Sequence, residues 1–480
     1  MARAIAGAPR PYPRRANVEF AAKESAAAGG AARRKAPRSS HAEWKPKKDR
    51  KDPVELLAGQ DENRVSELIP IRYGRMLASP FTFFRGAAAV MAMDLAETPA
   101  SGFRVQACGD AHLSNLGIFA APDRRLVFDI NDFDETLPAP WEWDVKRLAA
   151  SFEIAGRDRG FTPKQTRGAV LATVREYREA MLGFAAMFNL DVWYARLDVE
   201  VLLADLAKVA DRKQVRAVEK DVAKAYRRNH LKAFGRLVHE VDGEPRIISD
   251  PPLLVPIREL IADAPRHELE GQIQEMLSRY RESLQGDRRH LFDSYRYVDM
   301  ARKVVGVGSV GTRCWVILMM GRDGQDPLFM QAKEAEASVL EPYAGTSEFG
   351  THGERVVEGQ HLVQAAGDIL LGWLPSFGLD DEDRDFYVRQ LWDGKRSIKI
   401  ETLAPKWLEV YGAVCGWTLA RAHARSGDRF AIAAYLGKGE SFDEAIADFS
   451  KRYADQNELD FAALADAAKS GRIEAWTDLT

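Results

Sequence analysis

Gly109-Asp110-Ala111-His112-Leu113-Ser114-Asn115 and, a short gap later, Leu126-Val127-Phe128-Asp129-Ile130-Asn131-Asp132-Phe133-Asp134-Glu135 carry most of the information in this chain. Each stretch holds or follows a short apolar run, so each reads as a polar loop joined to a strand. Asp129, Asp132, Asp134 and Glu135 would repel one another strongly unless cations or hydrogen bonds compensate. Mg²⁺ takes oxygen ligands of this kind and keeps waters or phosphates in its remaining positions. In phosphoryl transfer one Asp orients and deprotonates the attacking hydroxyl; an Asn five residues later and an Asp on the following hairpin hold the metal. Asp110 and Asn115 have that spacing. Asp132, followed by Phe133, has the place of the second Asp, and Asp129, at the end of the apolar strand, is the alternative metal ligand. The plainer reading is a polar loop whose Asp and Asn side chains cap turns. His112 is expected to hydrogen-bond to backbone rather than to ligate metal.

Far downstream, Gly306-Val-Gly-Ser-Val-Gly311 runs into the bulky apolar segment Cys314–Met320. A dinucleotide fold needs a helix straight after such a loop. A glycine-rich turn between two strands is instead the arrangement that covers nucleotide phosphates in kinases, with an ordinary hairpin turn as the competing reading. The next apolar strand, Phe329-Met-Gln-Ala-Lys333, places a lysine where it can point under the loop. Its expected partner is Glu358, on a helix beginning near Glu354, because a charge beside Val356 and Val357 needs a counter-ion. Glu354, one turn earlier, is the alternative. Arg85 lies among Phe81, Phe83 and Phe84 and needs an anion or carbonyl partner; bracing of the acidic loop is preferred over a phosphate contact.

The chain has 480 residues, net charge −3, 46% hydrophobic and 29% charged residues, which are globular proportions. The charge balance gives no case for nucleic-acid or membrane binding. Cys108, Cys314 and Cys415 form no CxxC pair, which argues against a zinc site or a disulfide framework and for a reducing, cytoplasmic location. Residues 1–52 are rich in Ala, Arg, Lys, Pro and Gly and poor in large apolar side chains. They read as a disordered basic tail, whose Lys45, Lys47, Lys48, Arg50 and Lys51 would make at most weak contacts with RNA or acidic lipid. Residues 53–98 read as helical with breaks at Pro70 and Pro80, 104–108 and 125–130 as strands, 141–297 as helical, 304–320 and 328–332 as β, 354–373 as a helix and 386–391 as a strand. The last 75 or so residues read as helical.

GDAHLSN, FDINDFDE and Trp143-Asp144-Val-Lys-Arg-Leu together resemble the catalytic loop, metal loop and following helix start of the aminoglycoside-phosphotransferase branch of the kinase superfamily. That resemblance implies a structural Asp144 braced against the catalytic loop, which agrees with its local reading as a helix cap. The glycine-rich stretch follows these loops instead of preceding them. Gly416-Trp-Thr-Leu-Ala-Arg-Ala-His423 resembles the helix that normally leads into the catalytic loop. A circular permutation broken between that helix and the loop accounts for the order. From about residue 60 the chain also resembles the mostly bacterial family called domain of unknown function 2252, through Arg72-Tyr-Gly-Arg-Met-Leu, Ser79-Pro-Phe-Thr-Phe-Phe-Arg85-Gly, NDFDETLPAPWEWDVKRLA, KVVGVGSVGTR and RVVEGQ. The absence of His-Arg-Asp, Asp-Phe-Gly and Ala-Pro-Glu strings argues against an ordinary protein kinase.

The resulting expectation is an α+β, two-lobed, circularly permuted kinase-like fold, mostly helical with a small antiparallel β lobe. Residues 53–298 would form a helical lobe, 299–395 a nucleotide-binding β lobe, and 396–480 helices completing the first. Gly306, Gly308 and Gly311 would cover the phosphates of ATP, Lys333 would pair with Glu358 and with the α- and β-phosphates, Asn115 and Asp132 (or Asp129) would hold Mg²⁺, and Asp110 would act as base toward an unidentified small-molecule or protein hydroxyl acceptor. A nucleotide-binding pseudokinase, a nucleotidyltransferase and a metal-dependent phosphoesterase are the alternatives.

Overall fold

The computed structural model describes residues 18–209, 212–226, 230–261, 266–375, 382–391 and 394–479. The fold is α+β, with helices predominating and antiparallel sheets. A helical body is built from both ends of the chain. The helix Trp141–Asp158 packs against Pro163–Ala186 and Ser441–Lys469, and Pro405–Ser426 lies along Pro163–Ala186. Small residues permit that close approach: a Cβ on Gly416 would lie 2.1 Å from the Thr173 carbonyl oxygen. Pro70, Pro80, Pro163 and Pro405 each sit in the first turn of a helix, where the missing N–H costs nothing. The prolines read as breaks are therefore starts.

The β-rich part is a six-stranded antiparallel sheet in the order Gly372–Leu374, Asp385–Gln390, Pro327–Ala335, Cys314–Met320, Arg296–Lys303, Leu254–Pro256. Every residue of Cys314–Met320 is buried. Trp315, Ile317 and Met319 enter one core with Tyr280 and Met276, while Val316, Leu318 and Met320 enter another with Leu237 and Ile247. A strand covered on both faces loses the apolar–polar alternation, which is why it reads as one continuous apolar run.

Three expectations are corrected here. The β-rich part begins well before residue 299: the helices Arg266–Ser283 and His230–Leu237 both pack on the sheet, and Leu254–Pro256 is its edge strand. The helix from residue 352 ends at Val363, and Trp373 belongs to a strand. Residues 18–52, expected as part of a disordered tail, are built into the body; residues 1–17 lie outside the described ones. The Ala- and Gly-rich helix Val18–Lys35 packs on Arg429–Leu436, where a Cβ on Gly29 would meet the Ala431 carbonyl oxygen at 2.1 Å. Trp44 is buried against Phe449 and Tyr453. Arg50 bridges Asp94 and Asp460 with four hydrogen bonds of 2.6–2.9 Å. Small residues there serve close helix contact, and the basic residue is consumed internally.

Candidate functional site

Strand pairing explains why the two acidic stretches meet. Arg104–Ala107 pairs with Leu137–Pro140, so Ala107 faces Leu137 and pins both ends of the segment 108–136. Inside it, Leu116–Ala120 pairs with Leu126–Ile130, with Leu116 opposite Ile130. That register sets Asn115 beside Asn131, whose N–H donates to the Asn115 carbonyl at 2.8 Å. Asp110, Asn115, Asp132, Asp134 and Glu135 consequently line one cleft.

Buried groups fix this wall from behind. The Asp144 carboxylate accepts the N–H groups of Cys108 at 2.6 Å and Gly109 at 3.0 Å, and lies 3.1 Å from His423 Nε2. His423 Nδ1 is in turn 2.8 Å from the Tyr177 hydroxyl. Asp144 thus braces the loop as the resemblance implied, but the cap residue of its helix is Pro140, and Asp144 sits within the first turn. Arg147, three residues on and so on the same helical face, donates from Nε to Asp110 Oδ1 at 2.6 Å. Burial raises the Asp110 carboxyl to about 6, with Arg147 opposing the rise. His112 Nδ1 accepts the Ser114 N–H at 3.2 Å, so this histidine serves the loop's own turn, and burial holds it neutral.

The metal candidates separate clearly. Asn115 Nδ2 donates to the Asp110 carbonyl at 2.8 Å, turning its amide oxygen the other way. The Asp132 carboxylate is partly exposed in the cleft, and Lys333 Nζ is 3.9 Å away. Burial works against its ionisation, but Lys333, Arg389 and Lys395 hold it well below the usual carboxylate range. Asp129 is not in the cleft. It is buried, ion-paired to Arg421, and accepts the N–H of Ala365 at 3.3 Å. Its side chain leaves the strand on the other face, and a buried carboxylate already matched by a guanidinium is a fold element. Among the described residues no group of three His, Cys, Asp or Glu side chains is arranged to hold a metal. Asn115 and Asp132 suit a cation that draws most of its ligands from water and phosphate.

The opposite wall is the glycine-rich turn, with Gly306, Val307, Gly308, Ser309 and Thr312 lining the cleft. Gly306 (φ 71°) and Gly311 (φ 93°) occupy the left-handed region that favours glycine. Gly308 lies against the helix Pro80–Gly86, where a Cβ would be 3.4 Å from the Arg85 carbonyl oxygen. Gly311 does not line the cleft; its carbonyl accepts the Val65 N–H at 2.8 Å. Arg75 and Arg64 hold the turn through the carbonyls of Gly306 (2.8 Å) and Val310 (2.5 Å).

Lys333 is buried on its strand and ion-pairs with Asp134, which also accepts the Tyr387 hydroxyl at 2.7 Å. Burial alone would push this ammonium down; Asp132 and Asp134 hold it well above its ordinary value. The expected pair with Glu358 is not formed. Gly353, Val356, Val357 and Gln360 face the core, which leaves Glu354 and Glu358, one turn apart, on the outer face, and Glu358 lies 3.8 Å from His361. The helix reaches the acidic loop through Arg355 instead, which donates to the carbonyls of Thr136 (2.7 Å), Asp134 (2.8 Å) and Glu336 (2.8 Å). Arg85 lines the cleft with a buried Nε that has no hydrogen-bond partner. The bracing expected of it is performed by Arg147.

A family model described as "uncharacterized protein conserved in bacteria (DUF2252)" matches residues 64–467, most of the chain. No curated protein and no solved structure gives a significant match.

Proposed function

We propose that this protein, which belongs to the bacterial family DUF2252, is an ATP- and Mg²⁺-dependent phosphotransferase acting on a hydroxyl acceptor. The observation that carries this reading is a single cleft. Asp110, Asn115 and Asp132 face Gly306 and Gly308 across it, although the two groups lie roughly 190 residues apart in sequence. Asn115 and Asp132 would hold Mg²⁺, which when bound supplies charge for the phosphate oxygens. The N–H groups of the glycine turn and the Arg85 guanidinium would meet phosphate oxygens, and Lys333 would keep Asp134 and hence the metal loop in register. Asp110 takes the proton of the acceptor hydroxyl as its oxygen bonds to the γ-phosphorus; the bond to the β–γ bridging oxygen breaks and ADP leaves.

Two further observations support this reading and its kinase-like, permuted connectivity. The glycine turn joins two paired strands, Arg296–Lys303 and Cys314–Met320, and the lysine lies on the next strand of the sheet. The helix Pro405–Ser426 ends at Gly427, where a Cβ would lie 2.5 Å from Val105 and 3.0 Å from the Arg104 carbonyl oxygen. A chain in the ordinary order would pass at that place from the helix into the strand before the catalytic loop. The cleft holds 130 Å³, less than the roughly 300–1,000 Å³ of small-molecule pockets. Nucleotide entry would therefore require the cleft to widen.

The test is ADP formation from MgATP by wild type and Asp110→Ala in the presence of pooled small-molecule alcohols and sugars. Turnover that is lost in the variant supports the reading; turnover equal in both removes Asp110 as the base. Phosphate-ester hydrolysis without ATP would turn the reading to a phosphoesterase.

A further inference from the structure

A second cavity, also of 130 Å³, is lined by Asn131, Gln360, Gln364, Asp368, Arg389 and Lys395 among others, and shares no lining residue with the cleft. The two meet at one peptide: Asp132 lines the cleft and Asn131 lines this cavity. Two of its lining residues, only 7% and 4% exposed, each carry a buried polar atom with no hydrogen-bond partner, Asn131 Nδ2 and Gln360 Oε1. A buried polar atom left without a partner costs about 1–3 kcal/mol, so two in one cavity point to a ligand.

The orientation of Gln360 is set by its neighbours. Gln364 Nε2 donates to the Ile130 carbonyl at 2.6 Å, and a carbonyl can only accept. Gln364 Oε1 therefore accepts, and receives Gln360 Nε2 at 2.9 Å. Gln360 is left offering an oxygen, which demands a donor from the ligand. The cavity also carries cations. Arg389 Nη1 and Lys395 Nζ each donate to the Asn131 carbonyl at 3.2 Å. Burial and the nearby Arg389 pull the Lys395 ammonium down to about 7, as expected of two cations held together. The Asp368 carboxylate is engaged at both oxygens by the N–H groups of Leu370 (2.8 Å) and Gln390 (2.5 Å).

We propose that this cavity binds a protonated tetrahedral oxyanion, hydrogen phosphate, which keeps an O–H at neutral pH where a phosphate ester has largely lost its own. Arg389 supplies the charge, joined by Lys395 in its protonated form, Asn131 Nδ2 donates to one oxygen, and the ligand's own O–H donates to Gln360 Oε1. Sulfate has the same shape but no proton at neutral pH, so it leaves Gln360 unpaired. Sites built to bond a ligand hydroxyl discriminate strongly against an analogue that lacks it. Because Arg389 and Lys395 grip the carbonyl of Asn131, an occupant also bears on the backbone that carries Asp132. The site stands on its own geometry and does not depend on the phosphotransferase reading.

The experiment is calorimetric titration of inorganic phosphate and of sulfate into the full-length protein at pH 7, with Asn131→Asp, Gln360→Met and Arg85→Ala, each checked for an unchanged melting transition. Phosphate is expected to bind at least about tenfold more tightly than sulfate. Asn131→Asp, which places an anion in the site, is expected to abolish binding. Gln360→Met is expected to weaken phosphate to the level of sulfate while leaving sulfate unchanged. Arg85→Ala removes the phosphate contact proposed in the cleft, so binding that survives it and is lost in Asn131→Asp belongs to this cavity. Methyl phosphate, which has largely lost its acid proton at pH 7, is expected to bind more weakly than phosphate, and binding at least as tight as phosphate would overturn the assignment. Absence of phosphate binding up to ~10 mM, equal affinity for sulfate, or loss in Arg85→Ala with retention in folded Asn131→Asp would overturn the assignment.

Discussion

The two walls of the cleft are held in different ways. The acidic wall rests on buried charge: Asp144 grips two loop N–H groups, Arg147 grips Asp110, and Arg355 gathers three carbonyls. The glycine wall rests on its own turn, on carbonyls held by Arg75, Arg64 and the Val65 N–H, on packing against one short helix and on Val307 and Val310, buried among apolar neighbours. Interactions buried and joined in a network hold a loop in one position, while a few hydrogen bonds near solvent open at low cost. The acidic carboxylates are thus fixed by buried charge, and the glycine turn is expected to be the more mobile wall.

The largest effect expected is on turnover. Asp110→Ala should reduce it on the order of 10²–10⁴-fold with the melting transition in place; steady-state kinetics beside a thermal melt checks this. Next comes the foundation of the acidic wall. Asp144→Ala leaves His423 and two loop N–H groups without their acceptor and should cost about 3–5 kcal/mol in denaturant unfolding; a loss under about 1 kcal/mol would mean that the wall is not charge-braced. The pH profile sharpens the same wall. The Asp110 carboxyl is raised from 3.8 to about 6, so its basic form predominates only above that value. Turnover should fall about tenfold per pH unit below about 6, and an acid limb near 4 would show that Asp110 is not desolvated. On the glycine wall, Arg75→Ala should cost under about 1 kcal/mol yet speed amide exchange across residues 304–312; unchanged exchange would make the turn as rigid as its opposite. The smallest effect is expected at Glu358. Glu358→Gln should stay within about 0.5 kcal/mol and leave turnover unchanged, and an effect matching that of Lys333→Met would reinstate the pairing read from sequence.

The same contrast governs what was legible in the amino-acid sequence. The acidic loops were legible because the spacing of Asp110, Asn115 and Asp132 is local and a two-strand register converts it directly into proximity. The glycine turn between strands and the lysine on the next one were legible for the same reason. Partnerships across the fold were not. The apolar neighbours of Glu358 suggest a buried charge, but helical phase, not composition, decides which side faces inward, and Arg355 holds that face. Asp129 lies on the strand and Asp132 in the loop beyond it, and the buried Arg421 that claims Asp129 comes from a helix almost three hundred residues away. Arg147 could have been found from its position three residues after Asp144. The segment 18–52 misleads because alanine and glycine serve a close helix contact as readily as a disordered tail, and only the partner helix distinguishes them.

The most direct measurement is a calorimetric titration of ATP, with Mg²⁺ and with the metal chelated, into wild type and Asp132→Ala. Saturable binding that requires Mg²⁺ and weakens at least about tenfold in the variant is the result predicted for a cleft that holds a metal–nucleotide through its acidic wall. No binding to wild type at millimolar MgATP, or equal binding to both proteins with and without Mg²⁺, would contradict it.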